Sequence, residues 1–233
     1  MAHYPTSSAL RPIPRRAFFR AAGATAATSA LLLAGCGTDE TPTPDPTTVT
    51  PTLAYAVGDP GILNYLYSLV QLEYAFYDTV VNAFPATMSA DERAAFTDLR
   101  DHELIHSEFF RYIIGSTAVA GLTFNFDSLT LTTREGVLGA AQLFEDLGVA
   151  AYTDACKRVT TPDYLLLLGK IASVEARHAA YVRDLLTPNS FADSDVVVSF
   201  NGYGGFGDSK TPTQVAALVA PYFTVTLVTT NFL

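Results

Sequence analysis

The sequence predicts an all-α protein: a four-helix bundle with one long crossover between the second and third helices, followed by a short mixed C-terminal tail. Three observations predict it. Between about residues 60 and 186, apolar side chains recur at three- and four-residue spacing in four segments of about 25 residues, each roughly 38 Å long at 1.5 Å per residue. The first and third connections are only a few residues long, which forces antiparallel neighbours. The second and third segments are separated by 16 residues, STAVAGLTFNFDSLTL, with no helical period. Extended, these reach up to about 50 Å, enough to return the chain along the whole bundle.

The elements follow in order. Residues 1–36 read as an address: in PRRAFFRAAGATAATSALLLAGC a basic start precedes about 14 apolar residues from Ala21 to Ala34, too few to span roughly 30 Å of hydrocarbon as a permanent helix. Arg15-Arg16 followed by Ala17-Phe18-Phe19-Arg20 resembles a twin-arginine export signal, with Pro14 where Ser or Thr is usual. Leu33-Ala34-Gly35-Cys36 resembles a lipoprotein box. Together these imply export in the folded state, lipidation of Cys36, and a periplasmic or cell-surface location with the membrane reached only through the lipid. Residues 37–58, rich in Thr and Pro, read as a semi-rigid tether. The bundle is expected over residues 59–187. Its first helix runs from Pro60 to Phe84, with Ile62, Leu66, Leu69, Val70, Tyr77, Val80 and Val81 on one face. Ser89 and Glu92 form a capping box for the second, which stops at Gly115. Thr132 and Glu135 repeat the box for the third, and Thr161-Pro162 opens the fourth, which ends before Pro188. In the extension, residues 188–233, the expectation is a strand at Val196–Phe200, a Gly-rich turn at Gly202–Gly207 and a short helix from Thr213 to Phe223. That turn, NGYGGFGDS, lacks the Lys and the strand–helix context of a phosphate loop.

Composition narrows the function. Of 233 residues 49% are hydrophobic and 16% charged, which excludes a disordered chain. The formal charge is −9, and it becomes −13 without the first 35 residues, which hold Arg11, Arg15, Arg16 and Arg20 and no acid. So acidic a surface repels phosphate backbones, so nucleic acid is not an expected partner. Cys36 and Cys156 are the only cysteines, with no Cys-x-x-Cys pair for zinc or thiol redox chemistry. With Cys36 acylated, Cys156 reads as a small core residue.

Each apolar stripe is interrupted at mid-length by a charged residue. The second helix reads Phe96, Leu99, Glu103, His106, Phe110, Ile113, and the fourth Leu168, Ile171, Glu175, His178, Val182, Leu185. Both turn Glu-x-x-His inward. The first helix contributes Glu73 and the third Glu145. Glu73 and Glu145 lie about 13 residues into their helices, Glu103 and Glu175 about 14, so antiparallel packing brings all four carboxylates and both imidazoles to one level. Buried and ionised without compensation, each carboxylate would cost several kcal/mol; a pair of divalent cations removes the problem. A lone Glu-x-x-His arises by chance in many helices, whereas the ordered series of four at matched depth does not. Tyr77 and Tyr152 share the ligand face, as hydrogen-bond donors, electron carriers or plain core, and Gln142 sits one turn before Glu145 as a candidate donor behind the ligands. Asp101, His102, Glu108, Asp146 and Arg177 point a quarter turn or more away and are expected on a solvated face.

The strings LEYAFYD, LRDHELIHSEFFRYIIG, LFEDLGVAAY and SVEARHAAYVRDLL resemble the four helix motifs of the ferritin-like superfamily, closest to its exported, desiccation-related members. The resemblance covers about residues 60–187. It implies a dinuclear centre of two iron or manganese ions, which accept the same donors, held by Glu73, Glu103, His106, Glu145, Glu175 and His178. It also implies O2 or peroxide as the small-molecule partner, in Fe(II) oxidation or peroxide removal during oxidative stress. The absence of rubredoxin-type Cys pairs disfavours the rubrerythrin version. A lipid tether and a 46-residue tail disfavour a 24-subunit shell, though not a smaller oligomer. The alternative is a non-catalytic envelope stress or binding protein with a structural metal or none.

Overall fold

The computed structural model of the protein describes residues 50–232. The expected export signal, Cys36 and most of the expected tether lie outside the described residues. Strand β1 (Thr52–Ala54) is followed by α1 (Asp59–Asn82), α2 (Ala90–Ile114), α3 (Arg134–Arg158) and α4 (Pro162–Leu186). The tail holds β2 (Val197–Phe200), β3 (Tyr203–Gly207), α5 (Pro212–Val219) and β4 (Thr226–Val228).

Helix starts follow local chemistry. Ser89 Oγ accepts from the Glu92 amide at 3.2 Å while Glu92 Oε2 accepts from the Ser89 amide at 2.8 Å, so both halves of the α2 capping box form. At α3 the cap is Thr133 rather than Thr132, with Oγ1 accepting from the Gly136 amide at 3.1 Å. Cap position N3 is then Gly136, which has no side chain to return the bond, so the expected Thr132–Glu135 box gives way to a single cap. Pro162 occupies the first turn of α4. The free amides of Thr160 and Thr161 before it are met at 2.9 Å each by the carboxylate of Asp59, which stitches the start of α1 to the start of α4.

α1 packs on α2, α3 on α4, and α1 on α3, while α2 and α4 stand further apart. Phe76, Tyr77, Phe96, Phe110, Phe144 and Tyr152 fill the interior and are almost wholly buried; each such side chain contributes roughly 1.5–3 kcal/mol or somewhat more for the largest rings. The crossover, residues 115–133, is held by two amides one heptad apart on α1. Asn64 donates to Thr117 O at 3.1 Å and accepts from the Val119 amide at 2.7 Å, and Gln71 Oε1 accepts from the Leu122 amide at 2.9 Å.

The tail differs from expectation in its glycine run, in a helix that ends at Val219, and in the added strand Thr226–Val228. The glycine run is a strand: Asn201 and Gly202, with φ of 50° and 80°, make a two-residue hairpin turn, and Tyr203–Gly207 pairs antiparallel with Val197–Phe200. The hairpin is pinned to the bundle by buried Arg183, which donates to Asp146 at 2.7 Å and to Asp195 at 2.6 Å. The last part of the expected tether is also built into the fold. Thr52–Ala54 pairs in parallel with Thr226–Val228, and the following Tyr55 is buried, stacking on Phe232 at 5.6 Å. Its few apolar residues, Leu53 and Tyr55, suffice once another strand supplies the hydrogen bonds. No helix of the described residues is long and apolar enough to cross a membrane.

Candidate metal centre

Each long helix delivers its mid-length glutamate to the interior. Glu103, Glu145 and Glu175 have no exposed surface and Glu73 has 2%. The i, i+3 spacing places His106 beside Glu103 and His178 beside Glu175. His106 Nδ1 lies 3.4 Å from Glu103 Oε2 and 3.0 Å from Glu175 Oε1. His178 Nδ1 lies 3.1 Å from Glu103 Oε1, 3.3 Å from Glu175 Oε2 and 3.7 Å from Glu145 Oε2. Two groups therefore form whose donor atoms lie within 4.8 Å of one another: Glu103, His106 and Glu175, and Glu103, Glu145 and His178. Glu103 belongs to both. Glu73 falls outside both groups; it is buried beside them with Oε2 lacking a hydrogen-bond partner.

The charges are strongly coupled. Burial raises the Glu73 carboxyl well above its ordinary range, and Glu175, Glu103 and Glu145 add to the rise. Burial raises Glu145 likewise, against the pull of His178. For Glu175 burial acts in the same sense, but the imidazoles of His106 and His178, close to its two oxygens, outweigh it and hold the carboxyl below normal. The imidazoles shift the other way. Burial opposes their charge, yet contacts with Glu103 and Glu175 lift His106 to about 10 and His178 to about 11. Four carboxylates in a dry pocket thus demand positive charge.

Around the ligand atoms, the tyrosines part company. Tyr77 Oη donates to Glu145 Oε1 at 2.5 Å, while the Tyr152 hydroxyl is buried without a partner. Gln142 is half-buried, and no hydrogen bond joins it to the glutamates among the described residues. Of the residues expected in solvent, Asp101 is exposed beside Arg100, Arg177 is exposed, and Glu108 pairs with Arg111 at 2.6 Å on the surface. Asp146 departs from that expectation by binding Arg183. His102 is exposed as expected and yet engages the site: its Nδ1 lies 2.9 Å from His178 Nε2, with the ring centroids 5.2 Å apart. The gap between α2 and α4 leaves room for this ring to lean toward His178. Helical periodicity does not place this ring at the site, although His102, His106 and His178 are the only histidines after residue 36 and all three gather here. Gly148 is a second unforeseen contributor. A Cβ there would stand 2.5 Å from Glu73 Oε1, so this mid-helix glycine provides the space that carboxylate occupies.

Sequence comparison agrees with the architecture. The profile of a family described as a ferritin-like domain matches residues 58–188, more than half of the chain and all four long helices. The chain belongs to the ferritin-like domain family. No curated protein matches the sequence at a significant level. The donor set of this ferritin-like domain suits a hard or borderline divalent ion, being carboxylate oxygens and imidazole nitrogens without thiolate. Its most telling feature is a set of orphans: Glu73 Oε2, Glu103 Oε1, Glu145 Oε2, both Glu175 oxygens and His178 Nδ1 are buried with no properly aligned hydrogen-bond partner. Buried polar atoms are ordinarily paired. Six that converge on one level without partners fit a bound metal.

Proposed function

We propose that this ferritin-like protein binds two iron or manganese ions between its four long helices and uses them to react with O2 or peroxide, in Fe(II) oxidation or peroxide removal. The convergence of orphaned carboxylate oxygens and His178 Nδ1 carries this reading. Glu103, His106 and Glu175 would hold one ion and Glu103, Glu145 and His178 the other, with Glu73 completing the set. Such a pair, when bound, supplies a two-electron change shared between neighbouring ions. The chain's own residues do the rest. Tyr77 fixes one oxygen of Glu145 and leaves the other for coordination. The packed rings of Phe76, Phe96, Phe110 and Phe144 exclude bulk water from the level of the carboxylates. His106 and His178 hold protons while the pocket lacks a cation, and they surrender them when one enters, so loading releases protons to solvent. Export through the Arg15-Arg16 signal and lipidation at Cys36 place this chemistry outside the cytoplasm, in the service of oxidative-stress defence or metal handling.

Elemental analysis of the exported protein tests the reading, with about two iron or manganese ions per chain expected. Glu103→Ala, which strikes both groups, should abolish uptake, whereas Glu108→Ala, which removes only a surface partner of Arg111, should leave it intact. Metal retained in full by the Glu103 variant would overturn the ligand set. Failure of the wild-type protein to take up either ion would overturn the metal reading. A bound metal whose oxidation state is indifferent to peroxide and O2 would leave a binding protein in place of an enzyme.

A further inference from the structure

Between α2 and α4 lies a cleft of about 280 Å³ lined by Asp98, Leu99, His102, Arg177, His178 and Tyr181. His102 is exposed in it, whereas His178 is buried. The two rings meet edge-nitrogen to edge-nitrogen, His102 Nδ1 to His178 Nε2 at 2.9 Å, and lie nearly parallel at 21°. The far nitrogen of His178, Nδ1, points at Glu103, Glu145 and Glu175. His178 is therefore spanned, with carboxylates at one nitrogen and an imidazole at the other.

That arrangement has a consequence for the lone pairs. A neutral imidazole has one N–H and one lone pair, and the hydrogen bond at one nitrogen decides which is available at the other. If His178 carries its proton on Nε2 and donates it to His102 Nδ1, its lone pair is on Nδ1, aimed into the carboxylates. If the donor were His102, His178 would present N–H to the centre and repel a cation. We infer that His102 is a positioning residue that accepts the Nε2 proton of His178 and so makes Nδ1 the metal donor. This rests on the reading of the six side chains as metal ligands. The other imidazole has no such support: His106 also faces the carboxylates through Nδ1, but its Nε2 has no protein partner among the described residues. The influence of His102 should fall on one ion of the two.

The test uses the full-length protein with Zn(II) as a diamagnetic probe, in the wild type, His102→Ala and His102→Gln. Because His102 is exposed, neither change should disturb folding, which circular dichroism checks. In the zinc-loaded wild type, nitrogen-15 spectra should show His178 bound through Nδ1 and protonated on Nε2, with a nitrogen–nitrogen coupling across the hydrogen bond to His102. Calorimetric titration of His102→Ala should show one of two zinc steps weakened about 10- to 100-fold, the range typical of losing a partner behind a metal ligand, with the other step unchanged. Gln supplies an acceptor oxygen and should restore most of the loss. His178 bound through Nε2, or a wild type and Ala variant that bind two zinc ions with equal affinity, would overturn the role of His102 and leave the metal centre standing. A wild type that takes up neither zinc, iron nor manganese would overturn both.

Discussion

A methyl group at position 148 would occupy space that Glu73 Oε1 now fills, 2.5 Å away. In a helix interior Gly→Ala ordinarily gains up to about 1 kcal/mol. Here the obstructed atom is the tip of a flexible side chain, so Gly148→Ala should preserve or slightly raise the melting temperature while displacing the carboxylate. Metal titration should show roughly a 10-fold loss of affinity, of the size seen when a ligand's supporting contacts are lost; unchanged affinity would remove Glu73 from the centre. The glutamates at the middle of the four long helices were legible in sequence, because a carboxylate in the middle of an apolar stripe is conspicuous, whereas buried Arg183 and Asp59 were not. Gly148 and His102 were not, for different physical reasons. Gly148 acts through the side chain it lacks. His102 sits one residue from Glu103 and off its face, and it reaches His178 only because α2 and α4 stand apart, a distance that periodicity does not encode.

At the scale of elements, the helices declared themselves through their period, and their ends through Ser89, Gly115 and Pro162. The α3 cap shifted by one residue because two adjacent threonines compete for the role, and only the backbone at Thr133, extended at φ −120°, decides between them. The glycine run of β3 carries no strand signal in its own side chains; the signal lies in Asn201-Gly202, a pair that favours a two-residue hairpin turn right after β2. Asp59 joins elements distant in sequence. Replacing it with Ala strips the acceptor from the Thr160 and Thr161 amides and should cost about 1–2 kcal/mol in denaturant unfolding, the range for a lost helix cap. Burial alone would raise the Asp59 carboxyl, but hydrogen bonds from Thr161 and Thr160 hold it below its usual value. A carboxyl depressed on folding stabilises the protein above its unfolded value of about 3.9 and ceases to do so as pH falls through the lowered one. The gap between wild type and Asp59→Ala should therefore be full at pH 6 and close below about pH 4. A gap that stays constant to pH 2 would contradict the assignment.

Across the whole molecule, metal and fold stability are linked. A ligand that binds only the folded state stabilises it by about 2.7 kcal/mol at 100 times its Kd, so chelation should lower the melting temperature of the wild type and have no effect on Glu103→Ala. An equal response in both proteins would place the ion elsewhere. The connectivity of the bundle was readable from loop lengths alone, since a long connection between equal helices has to travel their length. The pairing of β1 with β4 was not, because three-residue strands at opposite ends of the described chain carry no local signal of each other. That pairing also sets an order of assembly. During synthesis β1 emerges before any of the four long helices, yet the strand that supplies its hydrogen bonds emerges after all of them. Thr52–Ala54 must wait unpaired until Thr226–Val228 is free, and the aromatic contact of Tyr55 with Phe232 waits with it. Of the described strands, the first made is among the last to be secured, and nascent chains arrested before residue 226 should hold a helical bundle whose segment around Thr52–Ala54 remains open to protease.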